Sequence, residues 1–413
     1  MEQFDVIVIG AGPAGLLAAG SAAEKGGRVL VLEKMRQEGR KLLITGKGRC
    51  NITNDANVGE FIRHVYPNGR FLRTAFGHFF SKDILELLHR YGVETTCERG
   101  GRYFPTSNRS ADVLLALLKW VNEKKVDIRC GMKVEKLLVE NQIVEGVQAN
   151  GKEFGAGKVI LATGGKSYPA TGSNGEGYEL ARTVGHTIVP VRPALVPLET
   201  GGDLAQQLQG LNLKNVRATI WVNGKKGGED FGEMIFTHFG LSGPIILTLS
   251  RIVVDALHQK SAVEISIDLK PALDEQKLDA RLLRDLNEAG KKNISNLFRL
   301  WLPASMIPVF MKSLGIDPGK EGHQVSSKER KSIRNMMKDF RFEIKGHRSF
   351  KEAIITAGGV ATGEITSKTM ESKLVSGLYF AGEMIDVDAE TGGYNLQIAY
   401  STGFLAGRSL NQL

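Results

Sequence analysis

The stretch from Phe4 to Glu33, FDVIVIGAGPAGLLAAGSAAEKGGRVLVLE, confines the fold of this chain more than any other. It opens with an apolar strand, Phe4 to Ile9, too continuous to have one face in water. Gly10, Gly12 and Gly15 then fill a G-x-G-x-x-G frame, with Pro13 and Ala14 inside it. Leu16 to Ala23 reads as a helix of small residues, and Arg28 to Leu32 as a second apolar strand ending on Glu33 and Lys34. In such a frame the first glycine permits a tight turn and the second lets the backbone approach a pyrophosphate. The third lets helix and strand pack closely. The helix start adds unpaired N–H groups and a positive dipole end. Glu33 stands 18 residues after Gly15, where a carboxylate accepts from a ribose hydroxyl and repels a 2′-phosphate. Strand, glycines, helix, strand and acid in this order predict a dinucleotide site.

Three further stretches extend that site. GRKLLITGKGRCNITN, residues 39–54, is basic and too glycine-broken for a helix, so a loop crossing the cofactor is expected. Its Gly39, Arg40, Lys41, Gly46, Lys47, Gly48 and Asn51 are candidates: the cations pair with phosphates and the glycines admit a flat ring. KVILATGG is a buried strand running into glycines, which places Thr163 and Gly164 at the carboxyl end where open α/β sheets bind ligands. A helix is expected from about Asn174, and Val134 is placed to lay a backbone amide against adenine. Near the other end, SGLYFAGEMIDVDAETGGYNLQ delivers Gly382, Glu383 and Asp386 from a buried strand. It then opens a helix of small and apolar residues from about Asn395 to Leu410, with Gly393, Leu396 and Gln397 at its start. A helix N-terminus there would stabilise negative charge on a reduced flavin. The pairing of an N-terminal Rossmann motif with a C-terminal strand–glycine–acid–helix step predicts FAD rather than NAD, lying along both.

At 413 residues with 42% hydrophobic residues, the chain can form two or three domains with sizeable cores. The texture changes after Pro190, so three parts are expected. Residues 1–190 plus 353–413 form a discontinuous FAD-binding domain, and 191–271 an inserted β-rich substrate domain that 341–352 would complete. Residues 272–340 form a helical subdomain. No stretch reaches the ~18 uncharged apolar residues of a membrane span. The first strand begins at once, with no room for a signal peptide, so no membrane insertion and a cytoplasmic location are expected. Cys50, Cys97 and Cys130 have no C-x-x-C spacing and read as reduced thiols, Cys50 as one packed near the flavin. The net charge of +9 fits a solvated surface around an anionic cofactor better than a nucleic-acid partner. No oligomeric state follows from these features.

In motif order the chain resembles the BaiN-like (YhiN-type) family of FAD-dependent oxidoreductases. The resemblance rests on GAGPAG (10–15), GRKLLITGKGRCNITN (39–54), GRYFP (101–105) and ATGGKSYPATGSNGEGY (162–178). THFGLSGP (237–244), TAGGV (356–360) and AGEMIDVDAETGGYNLQ (381–397) complete it, with no clear departure. It implies an α/β fold: a Rossmann-type, flavodisulfide-reductase-like FAD domain, an inserted β-barrel-like domain and a small helical part. It also implies reduction of unsaturated or oxo small molecules, with steroid-like or bile-acid substrates among relatives.

The expected chemistry is hydride transfer from NAD(P)H to flavin N5 and on to an electron-poor C=C or C=O of a small molecule. No second G-x-G-x-x-G is present, so NAD(P)H is expected as a transient donor. His238 and Tyr394 are the candidate proton donors, with Arg102 as a lesser candidate for a substrate carboxylate. Two rival readings stand beside this one. The first is an RNA-modifying flavoenzyme using the basic segment between Lys320 and Lys351; the second is a flavin-binding protein without turnover.

Overall fold

The computed structural model describes residues 1–24 and 26–409; the expected helix end at Leu410 lies outside them. Five parallel strands run under the glycine turn, in the order Leu378–Phe380, Val159–Leu161, Val6–Ile9, Val29–Glu33 and Asp127–Cys130. All but the last are buried almost throughout, which is why they read as continuous apolar runs. Parallel register brings the carboxyl ends together: Ile9 faces Leu161 and Leu32, and Leu161 faces Phe380. Gly10, Ala162 and Ala381 therefore leave the sheet side by side.

The helix after the turn, Pro13–Ala23, is buried from Ala14 to Ala23. It is small all round because it is packed all round. On one side Gly20 receives Trp120 of the helix Ser110–Glu123; a Cβ at Gly20 would fall 2.3 Å from the indole. On another side lies the helix Tyr394–Ser409, whose Gly403 and Gly407 press onto the carbonyls of Ala14 and Ala18. A second sheet in this unit is ordered Glu2–Phe4, Lys152–Ala156, Ile143–Ala149 and Val134–Glu140.

The chain divides into two compact units, Met1–Pro193 with Phe350–Leu413, and Ala194–Ser349. The second is a closed six-stranded barrel, ordered Leu198–Thr200, Gly240–Ser242, Lys225–Phe236, Asn212–Val222, Val263–Asp268 and Phe340–His347, the last pairing back to the first. The helices expected as a separate subdomain, including Glu275–Glu288 and Ser327–Lys338, share one core with it. Leu282, Phe310 and Ile333 belong to the same apolar cluster as Ile220, Ile265 and Phe340. Each helix offers only one apolar stripe, too little for a core of its own.

One local expectation changes. Residues 39–54 are not all loop: Arg40–Ile44 form a short helix entered through Gly39 in the left-handed region (φ 62°), with Leu42 buried as its anchor. The helix Ser110–Glu123 is tied to it, the Ser110 hydroxyl donating to Leu43 O at 2.6 Å.

Candidate flavin site

At the adenosine end, Glu33 is fixed by its own turn. One carboxylate oxygen accepts from Ala11 N and the other from Met35 N, each at 2.8 Å. The half-buried group keeps lone pairs for two ribose hydroxyls, since a carboxylate accepts at about four positions. Met132 N donates to the Glu33 carbonyl at 2.9 Å, which sets Val134 beside the same strand end. Lys34 does not point free toward a phosphate: its ammonium binds Asn174 Oδ1 at 2.7 Å and Glu176 Oε2 at 2.8 Å. Lys133 takes the other oxygen of Glu176. Burial opposes the charge of Glu176, but the bonds from Lys133, Lys34 and Asn174 outweigh it and hold the carboxyl at about 2.

The middle of the site passes a direct test of fit to a diphosphate. Gly12 caps the helix with extended backbone and no side-chain cap, and a Cβ there would meet nothing within 4 Å. The two other glycines are closed instead. A Cβ at Gly15 would lie 1.8 Å from Gly10 O, and one at Gly10 would lie 2.6 Å from Ala162 O. The open space at Gly12, in front of unpaired helix amides, is what a pyrophosphate requires. Gly39 N donates to Ala11 O at 2.9 Å, so the 39–48 segment is tied against this turn, with Arg40 half-exposed beside it.

Farther along, Lys41 and Glu383 meet each other. Lys41 Nζ donates to Glu383 Oε2 and to Ser167 Oγ, both at 2.6 Å. Glu383 Oε1 also accepts from Ser167 Oγ at 2.9 Å and Thr356 N at 2.8 Å. Ser167 and Thr356 lie in the 162–178 and 356–360 motifs, but only proximity in the fold brings them onto Glu383. Thr163 Oγ1 turns to Met384 Sδ at 2.9 Å, and Gly164 (φ 72°) leads the chain away over Ser173. Gly382 (φ 73°) seats on Ala14, and Asp386 is buried behind it.

The start of the helix Tyr394–Ser409 is the place where the sequence expects the flavin. Gln397 N makes the first bond back, to Gly393 O at 3.1 Å, so the amides of Asn395 and Leu396 precede the ladder. Gly393 (φ 97°) lies so close to Thr53 that a Cβ would be 2.5 Å from its carbonyl. With its amide turned so that the oxygen faces Gly393 N, Asn51 accepts from it at 3.0 Å, joining the loop of Gly46, Lys47 and Gly48 to the helix start. Gly46 and Lys47 are consecutive left-handed residues, the reversal that turns this loop. Asn395 and Gln397 spend their side chains on the protein. Asn395 bridges Ala389 and Glu390, and Gln397 accepts from Thr53 Oγ1 at 2.7 Å and donates to Ser401 Oγ at 2.9 Å. They position the helix rather than offer free polar groups.

Of the two candidate proton donors, Tyr394 stands at this helix start. It is packed between Phe61 and His64, at ring distances of 4.6 Å each. Burial first, then Glu390 and Glu60, push its phenol above the ordinary value. His238 belongs to the barrel unit, exposed on the turn after Phe236, its ring edge-on to Phe239 at 4.9 Å. Arg102 donates to Arg99 O at 3.0 Å. The basic stretch from Lys320 to Lys351 is heavily neutralised. Lys320 pairs with Glu329, Arg330 with Asp279, Arg334 with Glu275 and Lys338 with Asp268. Arg341 pairs with Glu264, Lys345 with Glu343 and Arg348 with Glu199.

Cys50, fully buried, has its thiol pushed up to about 12 by burial, against a hydrogen bond with Thr45. It is a packed thiol, and inert as such. Maleimide should label exposed Cys97 in the native protein and reach Cys50 only after denaturation, as peptide mapping by mass spectrometry would show. His186 is also buried, its Nδ1 3.1 Å from Glu364 Oε2 and its Nε2 2.8 Å from Ser372 Oγ. Burial outweighs the Glu364 contact and holds the imidazole below its ordinary value. The native state then binds this proton less readily than the unfolded chain. The stabilisation is complete above about pH 6.5 and falls as the pH drops below it. Urea midpoints at pH 7 and pH 5.5 should differ more for the wild type than for His186→Gln.

A glycine turn, an acid on the second strand, and a strand–glycine–acid–helix step from the far end of the sequence together define a FAD-binding flavoprotein oxidoreductase. The HI0933-like protein Rossmann domain family matches residues 4–409, and the chain belongs to that family. It is 32% identical to the 3-dehydro-bile acid delta(4,6)-reductase of Clostridium scindens, over 97% of this chain and 98% of the relative. It is also 32% identical to the ribosomal RNA dihydrouridine synthase of Escherichia coli, over 99% of this chain and 98% of that one. Among solved structures, Mycobacterium smegmatis Sdh1 in complex with UQ1 superposes with a TM-score of 0.51 at 16% identity, covering all of this chain and 69% of its own. That likeness shows a shared fold.

Proposed function

We propose that this protein is an FAD-dependent reductase of a small molecule bearing a C=C bond conjugated with a carbonyl, with NAD(P)H as a transient hydride donor through flavin N5. The supporting observation is that two full-length relatives with different names share one chemistry. In a 3-oxo bile acid the 4,6 double bonds are conjugated with the ketone, and the uracil bond lost in dihydrouridine is conjugated with the C4 carbonyl. In each, the carbonyl lets hydride add at the far end of a conjugated C=C bond and the resulting enolate take up a proton.

Bound FAD would supply the two-electron chemistry. The chain's own residues do the rest. Glu33 would hold the ribose, and the amides behind Gly12 would hold the pyrophosphate. Lys41 fixes Glu383, and the helix start at Tyr394–Leu396 would stabilise negative charge on the ring. Tyr394 and His238 are the candidates for proton donation that the sequence offers.

An RNA substrate is the second reading, favoured by the Escherichia coli relative's name. The pairing of seven cations between Lys320 and Arg348 weighs against that segment as its docking face. Anaerobic stopped-flow with NADH and then NADPH, following flavin bleaching, tests the donor. Mixing the reduced protein with a 3-oxo-Δ4 steroid or with unmodified ribosomal RNA tests the acceptor. Reoxidation by RNA alone would replace the small-molecule reading, and bleaching by neither nucleotide would remove NAD(P)H from it.

A further inference from the structure

Beside the start of the helix Tyr394–Ser409, two residues outside every quoted motif, His64 and Tyr66, meet Glu390 and Tyr394 of the 381–397 motif. His64 Nδ1 is 2.8 Å from Glu390 Oε2, Tyr66 Oη donates to Glu390 Oε1 at 2.9 Å, and the His64 ring stacks on Tyr394 at 4.6 Å and 25°. Glu390 N donates to His64 O at 3.1 Å, and the short ladder Tyr66–Asp388 and Val65–Ala389 holds the two segments together. Asn395 Nδ2 binds Glu390 O at 3.1 Å, so the same segment is strapped to the first turn of the helix.

We propose that His64 is the proton donor of the reduction and that Glu390 is its positioning residue; this rests on the reading of the site as a reductase of conjugated C=C bonds. The carboxylate of Glu390 fixes Nδ1 as an N–H donor, which leaves Nε2 as the nitrogen that gains and gives the mobile proton. The ring is partly open, its side chain 38% exposed, whereas the Tyr394 ring beneath it is 7% exposed. A buried phenol raised above its ordinary value is a poor acid near neutral pH; an imidazolium is a good one. The groups facing His64 are Glu390, Tyr66 and Tyr394, with Glu60 and Arg63 next to it and paired with each other at 3.9 Å.

The step balances. Hydride, carrying both electrons, forms the C–H bond at the remote carbon. The π pair moves to the carbon beside the carbonyl and takes the proton from Nε2, whose N–H bond breaks. Neutral imidazole remains and is reprotonated from water at its open edge. The net change consumes one NAD(P)H and one proton.

The test uses the FAD-loaded protein. Histidine NMR and the visible flavin spectrum are followed together across pH 5 to 9, the range in which imidazole titrates. In the wild type the flavin band should shift as the His64 resonance titrates, and in His64→Gln that shift should vanish. A His64 resonance that titrates with no change in the flavin band overturns the proposal while leaving the reductase reading intact. In stopped-flow, reoxidation of the reduced protein by 2-cyclohexen-1-one should slow roughly 100- to 10,000-fold in His64→Gln, with bleaching by nucleotide unchanged. An unchanged reoxidation rate in His64→Gln overturns it too. A wild type that this enone cannot reoxidise counts against the conjugated-bond reading, and the spectral titration then decides His64 by itself.

Discussion

A Gly12→Val protein should purify folded and colourless. The extended backbone at Gly12 accepts a β-branched residue, and its Cβ would meet no protein atom within 4 Å. The valine would instead fill the space in front of the amides that open the helix Pro13–Ala23. Charge-assisted hydrogen bonds of the kind a pyrophosphate makes there are worth about 1.5–3 kcal/mol each, so each one lost weakens FAD binding roughly 10- to 100-fold. Fluorescence titration of the deflavinated protein with FAD measures this, and thermal unfolding by circular dichroism checks the fold. The neighbouring Gly15→Val should do the reverse: its Cβ would sit 1.8 Å from Gly10 O, so the fold itself should suffer. Wild-type FAD affinity in Gly12→Val would show that the turn does not cradle the pyrophosphate.

Gly403→Val and Gly407→Val should each destabilise the apoprotein strongly. Their Cβ atoms would fall 2.2 Å from the carbonyls of Ala14 and Ala18, backbone atoms that no rotamer change can move. Overpacking of this kind costs about 1–3 kcal/mol and more where backbone must shift. The two helices touched are the ones whose N-termini are proposed to hold FAD, so FAD affinity should fall with stability. Denaturant midpoints of the apo forms report the first effect and FAD titrations the second. Unchanged midpoints would mean that the two helices do not pack through these glycines.

What could be read from the amino acids differed with the reach of the signal. The glycine turn and the buried strands are local patterns, and Gly10 to Glu33 lie where the motif places them. The 39–54 stretch misled because a five-residue helix has no periodicity to read and stands only through Leu42 in the core. Lys41 looked like a phosphate ligand because its acidic partner, Glu383, lies 342 residues away, and Glu176, the partner of Lys34, lies 142 residues away. His64 and Glu390 are 326 residues apart, and no spacing rule connects them.

The cofactor cradle draws its halves from Pro13 and from Tyr394, with the whole barrel unit between them. This sets a schedule for biogenesis. A ribosome adds about 5–20 residues per second, so the second half emerges roughly 20–80 s after the first. During that interval the barrel has all six of its strands and can fold, while the glycine turn waits with no helix at Gly403 and Gly407 to cover Ala14 and Ala18. Flavin loading is therefore a late event, and a nascent chain stalled before Tyr394 would expose an apolar helix flank for chaperones to shield.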